Sequence, residues 1–452
     1  MTFPHALIDT ILWTMAISIA VPLVVFGSEC LLAVWRSAKQ HPHERDFSDA
    51  GGIDRESRPA VDVIIPAHNE ELGLARTLDS VMTSLRSGDK IYLVADNCSD
   101  DTAAIAKRFA EDLTSRNASA GMTVLERFDP QHRGKDYALR FAFDALELTT
   151  QSELTTQSEL TTQSELTTRP EPITRPEPTS LSDRVVVIID ADCKVWPDTI
   201  DRLAIQVTQT QRPAQACYLM QQPESIPITA PRALSEFAFT VKNFVRPLGL
   251  SRIGGACTLL GSGMAFPRQA LQRLSGPGGH LVEDMRWTFD LILAGCPAKY
   301  CPEAKCLATF PTNPGAADTQ HRRWEHGHLQ LVGSQVPRLI RGWIRKPTLA
   351  CLLAALDLMV LPLSLLIMAA ALIGTMLTIT ALLGYATGPL VTWSLAMGIA
   401  GTGLALAWSC FCPRRATMGM FFAIPFYAVR KLSLYTSFIF QRERAWIRTD
   451  RN

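Results

Sequence analysis

The sequence lacks a large net charge, a paired-cysteine pattern and a glycine-rich nucleotide loop. Its 44 basic and 43 acidic side chains leave a formal charge of +1, which gives no basis for bulk binding of nucleic acid. Its 11 cysteines show no CxxC spacing and match no common zinc framework, so we expect reduced, buried thiols. No GxGxxG and no GxxxxGK[ST] follows a predicted strand, which argues against a dinucleotide enzyme and a P-loop ATPase.

Hydrophobic residues make up 47% of the chain and crowd its two ends. The segment Ile8 to Trp35 is nearly all apolar and long enough to cross a hydrocarbon core of about 30 Å. It has neither the basic start nor the cleavage site of a signal peptide, and Arg36 and Lys39 follow it. We therefore expect a retained membrane helix, with the residues after it in the cytoplasm.

Two more apolar runs lie near the other end. The run Leu349 to Leu383 is too long for one straight span and short for two, and Pro362 is expected to bend it. The run Leu390 to Cys412 follows a chargeless link, whereas basic residues flank the opposite ends, so the pattern predicts three spans. Arg430 and Lys431 favour an interfacial helix over a fourth span for the last segment, although four spans remain an alternative.

Between the apolar ends, short β-branched runs alternate with longer amphipathic ones. "VDVIIP", "KIYLVAD", "MTVLE" and "RVVVIID" are typical of buried parallel strands. The intervening segments predict helices that begin at N-caps Asn69 and Ser99. This order indicates an α/β domain with a mainly parallel sheet.

One segment interrupts this order with five polar hexads, TTQSEL three times and then TTRPEP and ITRPEP, from Thr149 to Pro178. Its composition cannot bury a core, so we expect a disordered surface loop.

Acidic residues end two of the predicted strands, Asp96 and Asp190. Ligands of open α/β sheets bind beyond the carboxyl ends of the strands, so both side chains are expected near a ligand. Asp190 and Asp192 together offer the oxygen ligands that Mg²⁺ or Mn²⁺ takes beside substrate phosphates. The alternative is that the strand simply ends in a D-x-D turn.

Two later motifs also admit two interpretations. Glu283 and Asp284 precede a helical pattern, where they could complement the helix dipole or supply a general base. The segment "QHRRWEHGH" could contact anionic lipid, or its tryptophan and arginines could bind a sugar ring and a diphosphate.

Taken in order, seven motifs resemble the membrane-embedded family 2 glycosyltransferases, which include cellulose, hyaluronan and chitin synthases. They are "VIIPAHNE", "VADNCSDDT", "HRGKDYAL", "IIDADC", "GSGMAF", "VED" and "QHRRW". The resemblance covers about Val61 to Trp324, and QxxRW resembles the signature of processive members. It implies a nucleotide-sugar-binding, glycosyltransferase A-type α/β domain inserted between transmembrane helices.

The resemblance also implies roles for nine residues. Asp284 would be the catalytic base, and Asp192 would coordinate Mg²⁺ or Mn²⁺. Five residues would bind the nucleotide sugar: Glu70, Asp96, Lys135, Asp190 and Asp192. Three would border the diphosphate and the acceptor: Gln320, Arg323 and Trp324.

The implied organisation has six parts. These are an N-terminal transmembrane helix (1–36), a linker (37–60), a cytosolic glycosyltransferase domain (61–330, with a disordered insertion at 149–180), a juxtamembrane interfacial segment (331–348), transmembrane helices (349–412) and an interfacial amphipathic C-terminal segment (413–452). The catalytic domain would face the cytoplasm from a multi-pass protein of the plasma, or inner, membrane.

The implied reaction is an inverting transfer from a nucleotide sugar, with a UDP-sugar favoured, to an acceptor hydroxyl. Processive synthesis of a β-linked polysaccharide is the first hypothesis, and single addition to a lipid-linked acceptor is the alternative. Expected partners are the donor, a glycan or lipid-linked acceptor and membrane lipid, but no nucleic acid. An export partner or a homo-oligomer remains open.

Overall fold

A computed structural model describes residues 3–35, 58–115, 120–147, 184–223, 226–276, 282–412, 416–432 and 435. The predicted insertion over 149–180, most of the predicted linker and most of the predicted C-terminal segment lie outside the described residues. The first described element is one long apolar helix, α1 (Phe3–Val34).

Four parallel strands form one half of an eight-stranded sheet, and helices alternate with them along the chain. In order, the elements are β1 (Val61–Ala67), α2 (Leu74–Met82), β2 (Lys90–Asp96), α3 (Thr102–Ser115), β3 (Gly121–Arg127), α4 (residues 135–147) and β4 (Val185–Ile188). Strand β1 lies between β2 and β4, and β3 pairs with the outer side of β2. All four predicted strands are confirmed, but β3, at the edge of the sheet, is not buried as expected.

The other half of the sheet contains both parallel and antiparallel strands, and helices again lie between the strands along the chain. Its elements are β5 (Lys194–Val195), α5 (Thr199–Thr210), β6 (Ala214–Gln221), α6 (Ala230–Thr240), a π-helix (Val241–Val245), α7 (Arg246–Arg252), β7 (Met264–Pro267), α8 (Arg268–Leu271), α9 (Glu283–Leu293) and β8 (Lys299–Thr309). The strand order is β3-β2-β1-β4-β7-β6-β8-β5. Strand β7 is antiparallel to both neighbours, whereas β6 and β8 are parallel. The predicted α/β fold class with a mainly parallel sheet is confirmed.

Apolar layers cover both faces of the sheet because successive side chains of a strand point to opposite faces. On one face, Val63 and Ile65 of β1 pack in a cluster that includes Leu78 of α2. On the other face, Ile64 packs in a cluster that includes Trp287 of α9. The central strands β1, β2 and β4 are therefore buried on both sides, and their ends remain to line a site.

The predicted helix starts were wrong. Helix α2 begins at Leu74 rather than after Asn69, because Asn69 adopts a left-handed backbone (φ 55°) inside a preceding turn. Helix α3 begins at Thr102, where the Asp100 carboxylate rather than Ser99 accepts a hydrogen bond from the Thr102 amide at 3.0 Å. Both polar side chains take part in loop contacts instead of capping.

The chain ends in a group of mostly apolar helices. They are α10 (Pro314–Arg345), α11 (Leu349–Met359), α12 (Leu363–Leu382), α13 (Gly388–Phe411), α14 (Met418–Phe421) and α15 (Ile424–Arg430). Within the described residues, α1, α12 and α13 are the helices long and apolar enough to cross a membrane. The bend expected at Pro362 is a complete break, since this residue lies between α11 and α12.

A buried arginine joins the α/β domain to these apolar helices. The Arg246 guanidinium of α7 donates to the Glu29 carboxylate of α1 at 2.6 Å and also to Asp357 of α11. A buried charge needs such partners because removing it from water is costly. Arg246 therefore connects three separate parts of the chain.

Candidate active site

The two aspartates that follow β4 lie at the carboxyl end of the parallel half of the sheet. Carboxylate oxygens of Asp190 and Asp192 and the Cys193 sulfur lie within 4.8 Å of one another. Cys193 is completely buried in the core. The sequence-predicted pair is thus a compact group at a strand end, as expected for a ligand site in this class of sheet.

Lys135 is the first residue of α4 and forms an ion pair with Asp190. Its ammonium group also donates to the Gly261 carbonyl at 2.8 Å. Burial lowers the pKa of the Lys135 amine, but the carboxylates of Asp190 and Glu283 outweigh this, so the pKa lies above its ordinary value. Lys135 is therefore a stable positive charge beside the strand end.

Gly261 lies where the predicted nucleotide-sugar-binding residues Lys135 and Asp190 approach the predicted base, Asp284. Its backbone is left-handed (φ +90°), and a Cβ at this position would lie 3.0 Å from the Asp284 Oδ2, 3.3 Å from the Lys135 Nζ and 3.8 Å from the Asp190 Oδ2. Only glycine leaves this space free while keeping this backbone conformation without strain. Three predicted site residues from three different segments therefore converge on one glycine.

Glu283 and Asp284 open α9 and are half-buried. Burial raises the pKa of Asp284, with Lys135 opposing. Burial, and next the charge of Asp284, raise the pKa of Glu283 to about 7. A carboxylate with a raised pKa holds a proton more strongly, which suits a general base.

A cleft of about 610 Å³ lies beyond the strand ends, and Glu70 and Asp192 line it. Its wall joins the loops after β1 and β2, where the Asn69 side chain donates to the Ser99 hydroxyl at 3.0 Å and accepts from the Ser99 amide at 2.7 Å. Phe310, just after β8, lines the opposite side. Ligand sites typically enclose roughly 300–1,000 Å³, so a small molecule fits.

Asp96, the other predicted strand-end acid, is only 5% exposed and is absent from the described cleft lining. Its Oδ1 accepts from the Arg127 guanidinium at 2.6 Å and from the Asn97 side-chain amide at 3.0 Å. The carboxylate thus connects the end of β2 to Arg127 at the end of β3.

The QxxRW residues lie on α10. Gln320 is 2% exposed, and neither its Oε1 nor the Arg323 Nε has a hydrogen-bond partner among the described residues. The Trp324 ring packs against Phe239 with 5.6 Å between centroids, and Phe239 packs against Phe310 at 5.9 Å. Phe239 therefore connects the Trp324 ring to Phe310, which lines the cleft.

Two residues near this site escaped sequence reasoning. Gly261 stood in the "GSGMAF" motif, but only the folded chain shows which side chains it faces. Lys242 belongs to no motif, and its sole signal is that it is a lone charge in the apolar run Phe237 to Val245.

The family model described as glycosyltransferase-like family 2 matches residues 59–327. This range is more than half of the chain and contains every residue of the site above, so the chain belongs to this family. The protein is therefore a glycosyltransferase, as expected. None of the curated proteins compared with the chain matches it.

Solved structures offer more distant likenesses. The mannosyltransferase PcManGT from Pyrobaculum calidifontis, in complex with GDP-Man and Mn²⁺, is 20% identical over 96% of this chain and 100% of its own, with a TM-score of 0.49. S. aureus TarS 1-349, in complex with UDP-GlcNAc, is 13% identical over 76% of this chain and 92% of its own, with a TM-score of 0.35.

Proposed function

We propose that the protein is a membrane-bound inverting glycosyltransferase that moves a sugar from a nucleoside-diphosphate sugar to an acceptor hydroxyl and builds a β-linked polysaccharide. The observation that carries this proposal is the convergence of Asp284, Lys135 and Asp190 on Gly261, beside Asp192 at the edge of the cleft. This arrangement sets a base, a cation and a pair of carboxylates around one space.

The proposed step is a single displacement. The acceptor oxygen forms a bond to the anomeric carbon while the bond from that carbon to the diphosphate oxygen breaks. The acceptor proton passes to the Asp284 carboxylate, and the nucleoside diphosphate leaves with the electron pair of the broken bond. Lys135 would lie near the nucleotide, and Arg323 would offset charge on the departing diphosphate.

A divalent cation fits the donor set at the strand end. Two carboxylates in close proximity suit Mg²⁺ or Mn²⁺, whereas the neighbouring Cys193 thiol is buried in the core. Asp192 would hold the ion, since it lines the cleft while Asp190 pairs with Lys135. When bound, the ion would supply positive charge against the diphosphate.

Membrane attachment is supported by the apolar surfaces of the long helices. Leu372 of α12 and Leu395 of α13 are 65% and 66% exposed, which would be unfavourable in water over so many residues. We propose a multi-pass protein of the plasma membrane, and the charge pattern around the spans supports a cytoplasmic catalytic domain.

A second candidate is the addition of one sugar to a lipid-linked acceptor. A mostly apolar cavity between the α/β domain and the apolar helices favours it. Both candidates use the same donor cleft and the same base.

Product analysis separates these candidates. The purified chain in lipid nanodiscs is incubated with a panel of radiolabelled nucleotide sugars, UDP-sugars first, with Mg²⁺ or Mn²⁺. A ladder or high polymer supports the first candidate, and one discrete lipid product supports the second. If no donor is transferred or hydrolysed, the proposal of a nucleotide-sugar enzyme is wrong, and if NMR shows donor and product with the same anomeric configuration, inversion is wrong.

A further inference from the structure

A cavity of about 120 Å³, here called the interfacial cavity, lies where the α/β domain meets the apolar helices. Phe237 of α6 and Trp324 of α10 line it from the domain, and Phe26 of α1 and Ile367 of α12 line it from the apolar helices. Its wall is mostly apolar, so it offers few partners to sugar hydroxyls, which lose hydrogen bonds when they leave water.

Three cations line this cavity, and two of them are already paired. Arg246 binds Glu29 and Asp357, and Lys431 donates to the Glu325 carboxylate at 2.6 Å.

The third cation is Lys242, which has no ion pair or hydrogen bond among the residues that the structure describes. The histidines of the wall do not compete for an anion, because burial lowers the pKa of His321 and that of His328 to about 3. Of the three cations that line the cavity, Lys242 is thus the one available to bind an anionic ligand.

Lys242 also faces a second, smaller cavity of about 30 Å³, which Met285 lines. Met285 directly follows the proposed base, so the smaller cavity lies beside the first turn of α9, the helix that carries Asp284. Burial lowers the pKa of the Lys242 amine, and the Asp284 carboxylate is the largest opposing influence. The amine therefore lies within electrostatic reach of the base.

The backbone around this lysine is unusual. Val241–Val245 forms a π-helix between α6 and α7, and such segments occur often at functional sites. A charged side chain buried without a partner is costly, and an anion beside it would offset that cost.

We infer that the interfacial cavity binds the acceptor as an amphiphile, with its apolar chain along α1 and α12 and an anionic phosphate group on Lys242. The inference rests on the proposed function and specifies its second candidate: the sugar of a lipid-phosphate-linked acceptor would extend past Lys242 towards Asp284. Phosphate is the group that a lysine ammonium binds through charge-assisted hydrogen bonds.

The test measures binding to the full chain in phosphatidylcholine nanodiscs, without any donor sugar. Dodecyl phosphate, dodecanol and inorganic phosphate are titrated separately by calorimetry. We expect dodecyl phosphate to bind at least tenfold more tightly than either dodecanol or inorganic phosphate. Equal binding of dodecyl phosphate and dodecanol would overturn the role of the anion, and equal binding of both phosphates would overturn the role of the apolar chain.

Variants locate the phosphate. Lys242→Met should weaken dodecyl phosphate binding at least tenfold and leave dodecanol unchanged, Lys242→Arg should retain most of the binding, and Lys107→Met, at an exposed site on α3, should change nothing. Unchanged binding in Lys242→Met would refute the assignment. Should Lys242→Met fail to fold, the wild-type comparison of the three ligands still decides.

A separate readout covers the proposed function. Metal-dependent hydrolysis of the donor is measured in the same preparations. Loss of dodecyl phosphate discrimination with intact donor hydrolysis overturns the acceptor inference alone, whereas absent hydrolysis with intact discrimination overturns the proposed reaction alone.

Discussion

Asp284 and Glu283 are neighbours on α9 whose environments separate them from ordinary surface acids. Burial raises the pKa of both, and Lys135 opposes the shift in each case. Of the two, Asp284 lies nearer to Gly261, where its Oδ2 would meet a Cβ at 3.0 Å. Position rather than acidity therefore distinguishes the proposed base from its neighbour.

Replacing Asp284 by asparagine should lower the transfer rate by about 10²- to 10⁴-fold, because the amide cannot take the acceptor proton. Donor binding should persist, and initial rates together with nucleotide binding measure both effects. Asp290→Asn is the matched control on the same helix, where Asp290 pairs with Arg338 at 2.7 Å away from the cleft. Full turnover in Asp284→Asn would show that another group is the base.

Glu283→Gln should change how stability depends on pH. The folded-state pKa of Glu283 is about 7, above the ordinary 4.5, so folding favours its protonated form. The stability that this group contributes is complete below pH 4.5 and is lost as the pH rises to about 7. The glutamine variant, which cannot ionise, should therefore melt above the wild type at pH 8, with the gap closing towards pH 5. Melting-temperature gaps of equal size at both pH values would contradict this assignment.

At the scale of elements, the site depends on the loop before β7. Its left-handed glycine brings the loop under Lys135 and Asp284. A change in this loop therefore alters the site without touching a titratable group.

Gly261→Ala should cost about 1–3 kcal/mol of unfolding free energy through its left-handed backbone. The new methyl group would also displace Asp284 and Lys135, so we expect the transfer rate to fall at least tenfold. Thermal unfolding and initial rates measure the two effects. Gly276→Ala is the control, because a Cβ there meets no atom within 4 Å among the residues that the structure describes. Wild-type activity in Gly261→Ala would mean that the loop adapts and that the convergence is not required.

At the scale of the whole molecule, buried ion pairs connect the α/β domain to the apolar helices. Arg246 bonds to Glu29 of α1 and Asp357 of α11, which are far apart in the chain. The same junction contains the interfacial cavity, so the proposed acceptor site depends on it.

Arg246→Met should lower the free energy of unfolding by about 3–5 kcal/mol, because it leaves Glu29 buried and unpaired. Adding Glu29→Gln should recover part of this loss, which the double-mutant comparison measures by thermal unfolding in nanodiscs. Arg273→Met, on an exposed loop, provides the control for loss of a positive charge. If the double variant is no more stable than Arg246→Met alone, the ion pair with Glu29 does not explain the effect.

The local sequence pattern was enough to predict the fold class and part of the candidate site. Periodicity is a property of neighbouring residues, so it predicted the strands and the parallel sheet, and long apolar runs predicted the membrane-length helices, although the run Leu349 to Leu383 did not show where α12 begins. The position of an acid at a strand end likewise predicted that Asp190 and Asp192 would form one group. The helix starts were wrong because Asn69 and Ser99 bond to each other across two loops, a contact that neither local sequence contains.

The sequence by itself determined the fold class, the order of the motifs and the residue types available for chemistry. Only the tertiary structure decided which of those residues meet. Lys135 pairs with Asp190 across 55 positions, and Gly261 brings Asp284 to both. It also decided that the Asp96 carboxylate pairs with Arg127 and that Lys242, which has no partner among the described residues, lines the interfacial cavity. The physical reason is that contacts between distant segments depend on how helices pack on the sheet, which no periodicity within one segment records.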